Sequence, residues 1–383
     1  RSIMVNVQER DDISGDFHEL ISADLAVSLV NSWKFQTAKH MNNSRRSSQW
    51  GSSLKNLKWD QEDKPLSFSE RLISSTVHEW YDAKHRKASE EEITFVNSIP
   101  VSKCPHCGST HVIRYGIYPD HLQCYRCKEC NRKFSPLTNT IFADKKIPIS
   151  EWIEYLLHLF EFHSLRTSAR DNRNAESTGR YWITKVFSIL ENIQDEVVLE
   201  GNVYIDEMFF PVIKHQIIIK DGKKLRGISR NKICVAAGFD DHGNVLLINE
   251  CVSKPSLKST WKAYGNHIKQ GSHLIHDDEH SHSILVKNLS LTEEVHSSNQ
   301  TRGLDDKENP LDPINNLHDL SKRYMRAHGG YDRTNLQAWM NLIWLILSEP
   351  QDRYEKVKSF IEMASDSPQL VRYRAVMSKK SAD

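Results

Sequence analysis

The period of the apolar residues changes along the chain from helical to strand-like and back again. Trp152, Ile153, Leu156, Leu157, Leu159 and Phe160 recur at helical spacing, with Ser150 behind Pro148 as the expected N-cap. A break at His163 and Ser164 precedes a short polar helix over 165–171 and a turn over 172–174. A longer helix is then predicted over 176–192, carrying Tyr181, Trp182, Ile183, Val186, Phe187, Ile189 and Leu190. From 201 the residues alternate or run β-branched, which predicts strands over 202–206, 212–219, 233–239 and 245–248. A helix over 256–269, a strand over 273–276 and helices over 313–328 and 334–348 follow.

Antiparallel strands, a helix, a further strand and then helices are the element order of a ribonuclease-H-like fold, a mixed sheet flanked by helices. The expected class is a mixed α/β, multidomain protein. Its expected parts are a mainly helical region over 1–100, a cysteine-rich ribbon over 101–140, a helix-turn-helix region over 145–195, the sheet domain over 200–348 and a tail over 349–383. Within the first part, Trp33, Trp50, Trp59 and Trp80 suggest packed helices. Residues 70–92 read as a helix ending in Glu90, Glu91 and Glu92, and 42–53 as a polar loop around Arg45 and Arg46.

Composition narrows the class without naming a task. At 38% hydrophobic and 26% charged, with no run of about 18 apolar residues, the chain is globular and not membrane-spanning. Its start lacks the apolar segment of a secretory signal, and it begins on Arg, as a fragment would. The net charge is only +1, from 51 basic and 50 acidic residues, yet it is unevenly spread. Residues 101–187 hold 13 basic against 8 acidic residues, and 220–232 hold six against one. Two local basic surfaces suit a polyanion better than the total implies.

Five of the seven cysteines lie between 104 and 130. In a chain without a signal peptide this clustering favours metal over disulfides. Cys104-Pro-His-Cys107-Gly108 and Cys127-Lys-Glu-Cys130-Asn131 are two C-x2-C knuckles at the spacing of a four-thiolate zinc site. Gly108 and Asn131 stand where each knuckle needs a positive φ. Cys124 and Cys127 also read as C-x2-C; the second register is preferred because Asn131 supplies its turn and Phe134 then enters a core. His106, His111 and His121 read as surface residues. Behind the ribbon, Arg166, Arg170, Arg173, Arg180 and Lys185 cluster on the two helices of the expected helix-turn-helix, as a DNA-contacting pair would. Lys223, Lys224, Arg226 and Arg230 supply the basic segment between the strands.

In the expected fold the first and fourth strands lie side by side, so carboxylates at their ends can share divalent ions. Asp206 and Asp277 occupy those places, with Asp278 the alternative if the strand shifts by one residue. A third ligand belongs on a late helix. There Asn315, His318 and Lys322 share one face at i, i+3 and i+7, offering a neutral amide instead of a Glu.

Together these residues resemble bacterial insertion-sequence transposases with an N-terminal zinc ribbon and a DDE-type catalytic domain, in particular the ISXO-two-like group, in which Asn replaces the final Glu. The similarity runs over about 101–348. Besides the two knuckles it rests on Lys146-Ile-Pro-Ile-Ser-Glu-Trp152, Tyr204-Ile-Asp-Glu-Met208, Lys224-Leu-Arg-Gly-Ile-Ser-Arg230, Leu274-Ile-His-Asp277 and Asn315-Asn-Leu-His-Asp-Leu-Ser-Lys322. The resemblance implies Asp206, Asp277 and Asn315 as ligands of Mg²⁺ or Mn²⁺, Lys322 as their basic companion, and Cys104, Cys107, Cys127 and Cys130 around a structural Zn²⁺. It further implies binding of double-stranded DNA at transposon ends and target, cleavage and strand transfer, a homo-oligomer in the DNA complex, and a bacterial cytoplasmic location on the nucleoid. His276 departs from the small polar residue usual before the Asp. The alternative is a silent, zinc-dependent DNA-binding derivative, motivated by Asn315. Zinc-dependent base deamination is excluded, because no His-x-Glu precedes a Pro-Cys-x-x-Cys.

Overall fold

The structure, a computed structural model, describes residues 90–143, 149–172, 174–301, 303–305, 308–329, 331–367 and 371, apart from the side chain of Ser298. The elements expected before Glu90, Arg173 of the turn, and the tail beyond 371 lie outside the described residues. Helix α1 (Glu90–Ser98) runs on past Glu92, where the sequence suggests an end. Glu92 instead turns inward, and its carboxylate accepts the backbone N–H of Ser150 at 2.9 Å in the first turn of α2 (Ile149–Phe160). A carboxylate at a helix N-terminus satisfies an orphan donor and opposes the helix dipole, so Glu92 takes the capping task expected of Ser150.

Between α1 and α2, strands β1 (Val112–Ile117), β2 (Gln123–Cys127) and β3 (Lys133–Phe134) form a small antiparallel sheet. Phe134 is buried there and stacks on Tyr125 at 5.8 Å. Helices α3 (Leu165–Asp171) and α4 (Glu176–Ile189) follow across the short turn. They cross closely because Gly179 has no side chain: a Cβ there would lie 2.9 Å from the Cβ of Ala169 and 3.1 Å from the Leu165 carbonyl oxygen. Trp152 of α2 stacks on Trp182 of α4 at 4.1 Å, and the Tyr155 hydroxyl donates to the Gly179 carbonyl.

A second unit holds residues 194–322. Its strands are β4 (Asn202–Pro211), the two-residue pair β5 (Ile219–Lys220) and β6 (Lys223–Lys224), β7 (Lys232–Asp240), β8 (Val245–Val252), β9 (His273–His276) and β10 (Thr292–Val295). Five of them form one sheet in the order β10-β9-β4-β7-β8. Counted along that sheet, the third, second, first, fourth and fifth strands lie in line. The first three pair antiparallel with one another, β4 with β7 and β7 with β8, and β9 and β10 run parallel to β4. This is the mixed sheet of a ribonuclease-H-like core. Helices α5 (Leu257–Tyr264), α6 (Ser283–Leu289), the single turn α7 (Ser298–Thr301) and α8 (Asp312–Ala327) accompany it. Val203, Ile205, Ala236, Leu246 and Leu274 pack with Ala263, Tyr264 and Leu285 in one apolar cluster.

Two expected elements are corrected. The β-branched run 212–219 is not a strand: β4 itself continues to Pro211, paired to Lys232, and a 3-10 turn at Lys214–Gln216 follows. One last bond, from the Val212 N–H to the Asn231 carbonyl at 3.1 Å, follows that pair before the chain turns. The helix expected over 256–269 stops at Tyr264. Beyond it Ile268 bridges to Leu199, which directs the chain into β9.

Helix α8 belongs to this unit through Lys322 and to the other from Arg323. With that other unit go α9 (Leu336–Leu347) and α10 (Arg353–Asp366). Those two helices thus group with the residues outside 194–322. The reason is packing: Trp339 meets Phe187 edge-on at 5.1 Å, and Asn341 donates to the carbonyls of Leu190 and Glu191 at the end of α4. No helix among the described residues is long and apolar enough to cross a membrane.

Candidate active site and metal centre

The four knuckle cysteines converge. Cys104 Sγ lies 3.7 Å from Cys130 Sγ, and Cys107 Sγ lies 3.6 Å from Cys127 Sγ. Thiolates around one tetrahedral Zn²⁺ at about 2.3 Å stand roughly 3.8 Å apart, so the donor set fits zinc. The turns form as their residue types require, with Gly108 at φ 75° and Asn131 at φ 62°. Backbone N–H groups of Cys130 and Glu129 aim at Cys127 and bring its thiol down to about 6. Cys107 is pushed up to about 12: Ser109's N–H opposes this, but burial and the three other thiols outweigh it. A divalent cation relieves that mutual repulsion. Cys124 lies apart, buried against its neighbour's carbonyl. His111 is exposed and pairs with Glu129 at 2.7 Å.

The acidic pair follows from strand register. Ile205 of β4 sits directly opposite His276 of parallel β9. Paired residues on adjacent strands share a face and successive residues alternate, so Asp206 and Asp277 emerge together on the face opposite Ile205 and His276. Asp278, the alternative, is one residue further on and exposed. Burial first, then the charges of Asp277 and Glu207, push the Asp206 carboxyl up to about 7. A crowded, half-buried carboxylate pair of this kind suits a divalent cation.

Helix α8 brings His318 to within 3.6 Å of Asp206. Burial, then the charge of Lys322, holds His318 down at about 3, so the imidazole is neutral. Asn315 is exposed one turn earlier, and Lys322 is partly buried one turn later, on the same helical face.

A layer behind the pair was not foreseen from sequence. Glu207, adjacent to Asp206, points to the other face and is buried, and its Oε1 accepts from His282 Nε2 at 2.8 Å. The His282 Nδ1 lies 3.0 Å from His276 Nδ1. Burial opposes a charge on His282, yet the hydrogen bond to Glu207 and the nearby carboxylates raise its pKa; burial, then the charge of His282, lowers that of His276. The available signal was period: an acid at 207 shares the face of Val203 and Ile205, where burial demands a partner.

The basic candidates divide. Arg166, Arg170 and Arg180 are exposed; Arg166 and Arg180 flank Glu176, and Arg170 lies beside Asp171. Lys185 is corrected: it is buried, donates to the Ile141 carbonyl and lies 4.7 Å from the Tyr181 ring, so it serves the core and presents no charge to DNA. Its offsets of three and four from Trp182 and Tyr181 placed it on the apolar stripe. Lys223, Lys224, Arg226 and Arg230 are all exposed around the β5–β6 turn, where Asp221 and Gly222 both take positive φ.

No family model matches the chain. It is 37% identical over 67 residues to an uncharacterized protein in transposable element ISH50 of Halobacterium salinarum, a match covering 18% of this chain and 21% of that relative. Its structure is similar to the crystal structure of the Mos1 strand transfer complex (10% identity, TM-score 0.25, covering 60% of this chain and 80% of that one). A pre-cleavage Mos1 transpososome gives 9% identity and a TM-score of 0.21 over 56% of this chain and 78% of that one. The structural scores are too low to bear on function, and the short sequence match ties only a fifth of the relative's length to a mobile element.

Proposed function

We propose that the chain is a transposase of an insertion sequence: it binds transposon-end DNA and catalyses divalent-metal-dependent cleavage and strand transfer. The observation that supports this reading is that Asp206, mid-strand in β4, follows Ile205 where it pairs with His276, the residue before Asp277 at the end of parallel β9, and that His318 of α8 lies 3.6 Å from Asp206. Asp206, Asp277 and Asn315 are the proposed ligands. Divalent ions held there supply activation of an attacking oxygen and stabilisation of the leaving one. The chain's own residues position this chemistry. Neutral His318 lies beside Asp206 without competing for it as a cation, and Lys322 on the same face offers a fixed positive charge to a phosphate. The cysteine cluster holds Zn²⁺ as a structural element, and the exposed arginines of α3 and α4 with the β5–β6 lysines are the proposed DNA contacts, excluding Lys185. A homo-oligomer is proposed for the DNA complex, because two ends must be joined.

The test is nicking and joining of DNA that carries the inverted repeats flanking the coding region, with Mn²⁺ or Mg²⁺. Activity that disappears in Asp206→Ala and in Asn315→Ala, while end binding persists, supports the reading. End binding by the unmodified protein with no cleavage under either ion would instead support a silent DNA-binding derivative.

A further inference from the structure

At the end of β9, three donors lie close together that the two-aspartate reading does not use as a set: His276 and His282 behind the acidic pair, and Asp277 just past the strand. His276 ends β9, and His282 closes the 3-10 turn His280–His282 that follows it. Their Nδ1 atoms are 3.0 Å apart, with the ring planes crossed at 84°. Asp277, the residue after β9, has its Oδ1 3.8 Å from His282 Nδ1. One nitrogen of each histidine and one oxygen of Asp277 all fall within 4.8 Å of one another.

Both outer ring nitrogens face carboxylates. His282 Nε2 donates to buried Glu207 at 2.8 Å, and His276 Nε2, which has no hydrogen-bond partner, lies 3.6 Å from Glu293. A hydrogen bond between two imidazoles accounts for the short Nδ1–Nδ1 distance alone. It does not account for the carboxylate behind each ring. Histidines that ligate an ion characteristically donate their outer N–H to a carboxylate, which fixes the ring and turns the inner lone pair to the ion. Two such nitrogens at about 2.1 Å from one ion stand roughly 3.0–3.4 Å apart, as these do.

We propose that His276, Asp277 and His282 form a transition-ion site, two imidazoles and one carboxylate, oriented by Glu207 and Glu293. Imidazole donors favour Zn²⁺, Fe²⁺ or Co²⁺ over Mg²⁺, so this site selects a different ion from the all-oxygen set at Asp206. It shares Asp277 with the proposed cleavage site but needs neither Asp206 nor Asn315. It stands whether or not the chain cleaves DNA.

The full chain, its cysteine cluster filled with Zn²⁺, is titrated with Co²⁺ and read by visible absorption and by paramagnetically shifted imidazole N–H resonances. The expected result is cobalt with ligand-field bands, no sulfur charge-transfer band, and a shifted N–H from the ring bonded to Glu207. His282→Gln and His276→Gln each lose the bands, and Glu207→Gln weakens binding about 10–100-fold. Asp206→Asn keeps the bands and the shifted resonance. Cobalt bound without a shifted imidazole resonance, or bound equally by both histidine variants, overturns the site. Should His282→Gln fail to fold by circular dichroism, His276→Gln and Glu207→Gln decide. Absent histidine ligation beside intact Asp206-dependent nicking removes this site alone; intact ligation in a protein that never nicks removes the cleavage reading alone.

Discussion

Replacing Asp206 by Asn is expected to stabilise the protein when its acidic site holds no divalent ion, and to remove its response to manganese. In the folded chain the Asp206 carboxyl stands at about 7 against an ordinary 3.8, raised by burial and then by Asp277 and Glu207. A gap of about three pH units corresponds to roughly 4 kcal/mol at about 1.4 kcal/mol per unit. The side chain keeps 23% exposure, so solvent screening brings the expected figure to about 2 kcal/mol. The fold binds this proton more tightly than the unfolded chain does. The contribution is therefore fully present below pH 3.8 and is lost as pH rises through about 7. The Asn variant escapes that loss, so the two proteins should melt together near pH 4 and diverge by pH 8. At about 2–4 °C per kcal/mol for a unit of this size, the divergence is roughly 4–8 °C. Manganese at about 100 times its Kd should return about 2.7 kcal/mol to the unmodified protein and little to the variant. The assay is thermal unfolding from pH 4 to 8, with zinc retained at the cysteines, with and without Mn²⁺. A melting difference independent of pH, or equal stabilisation of both proteins by manganese, refutes the reasoning.

Neutralising Lys223, Lys224 and Arg226 together should lower the slope of log affinity against log salt by roughly 2–3 for end DNA, and an unchanged slope removes the β5–β6 turn from the interface. Lys185→Ala should leave that slope unchanged but cost about 1–3 kcal/mol of stability, since the Ile141 carbonyl loses its buried donor; loss of DNA affinity without loss of melting temperature would reverse the assignment. Removing zinc with a chelator should unfold residues around Cys104–Cys130 and abolish end recognition, while hydrogen exchange in β4, β7 and β9 stays slow; a single cooperative loss of both would contradict independent units.

What could be read from the sequence was whatever lay close along the chain. The two cysteine knuckles and the residues that turn them, Gly108 and Asn131, are local patterns, and the structure brings the four sulfurs within reach of one ion. The strand at His273–His276 and the helix at Leu165–Asp171 lie where their patterns predict. The failures have equally local causes. A β-branched run at 212–219 promises a strand, but the ladder with β7 ends at Pro211, and of that run only Ile219 pairs again, with Lys224. Lys185 is a cation by residue type, but its place on an apolar stripe buries it. The Glu207–His282 bond joins positions 75 residues apart, so the period of β4 marks Glu207 as buried without indicating its partner.

That bond also explains why two adjacent acids on one strand are not redundant. Alternation sends Asp206 to the face of α8 and Glu207 to the face of α5 and α6. Each then needs its own compensation, because both leave water. Glu207 obtains it from His282, within hydrogen-bond distance. Asp206 accepts the Glu207 N–H at 2.7 Å and has neutral His318 close by, but burial and two like charges outweigh these, so a divalent ion would compensate it further. The near-neutral total of +1 thus combines exposed cations on the β5–β6 turn with acids drawn into the sheet, and those acids are where a divalent ion has most to gain.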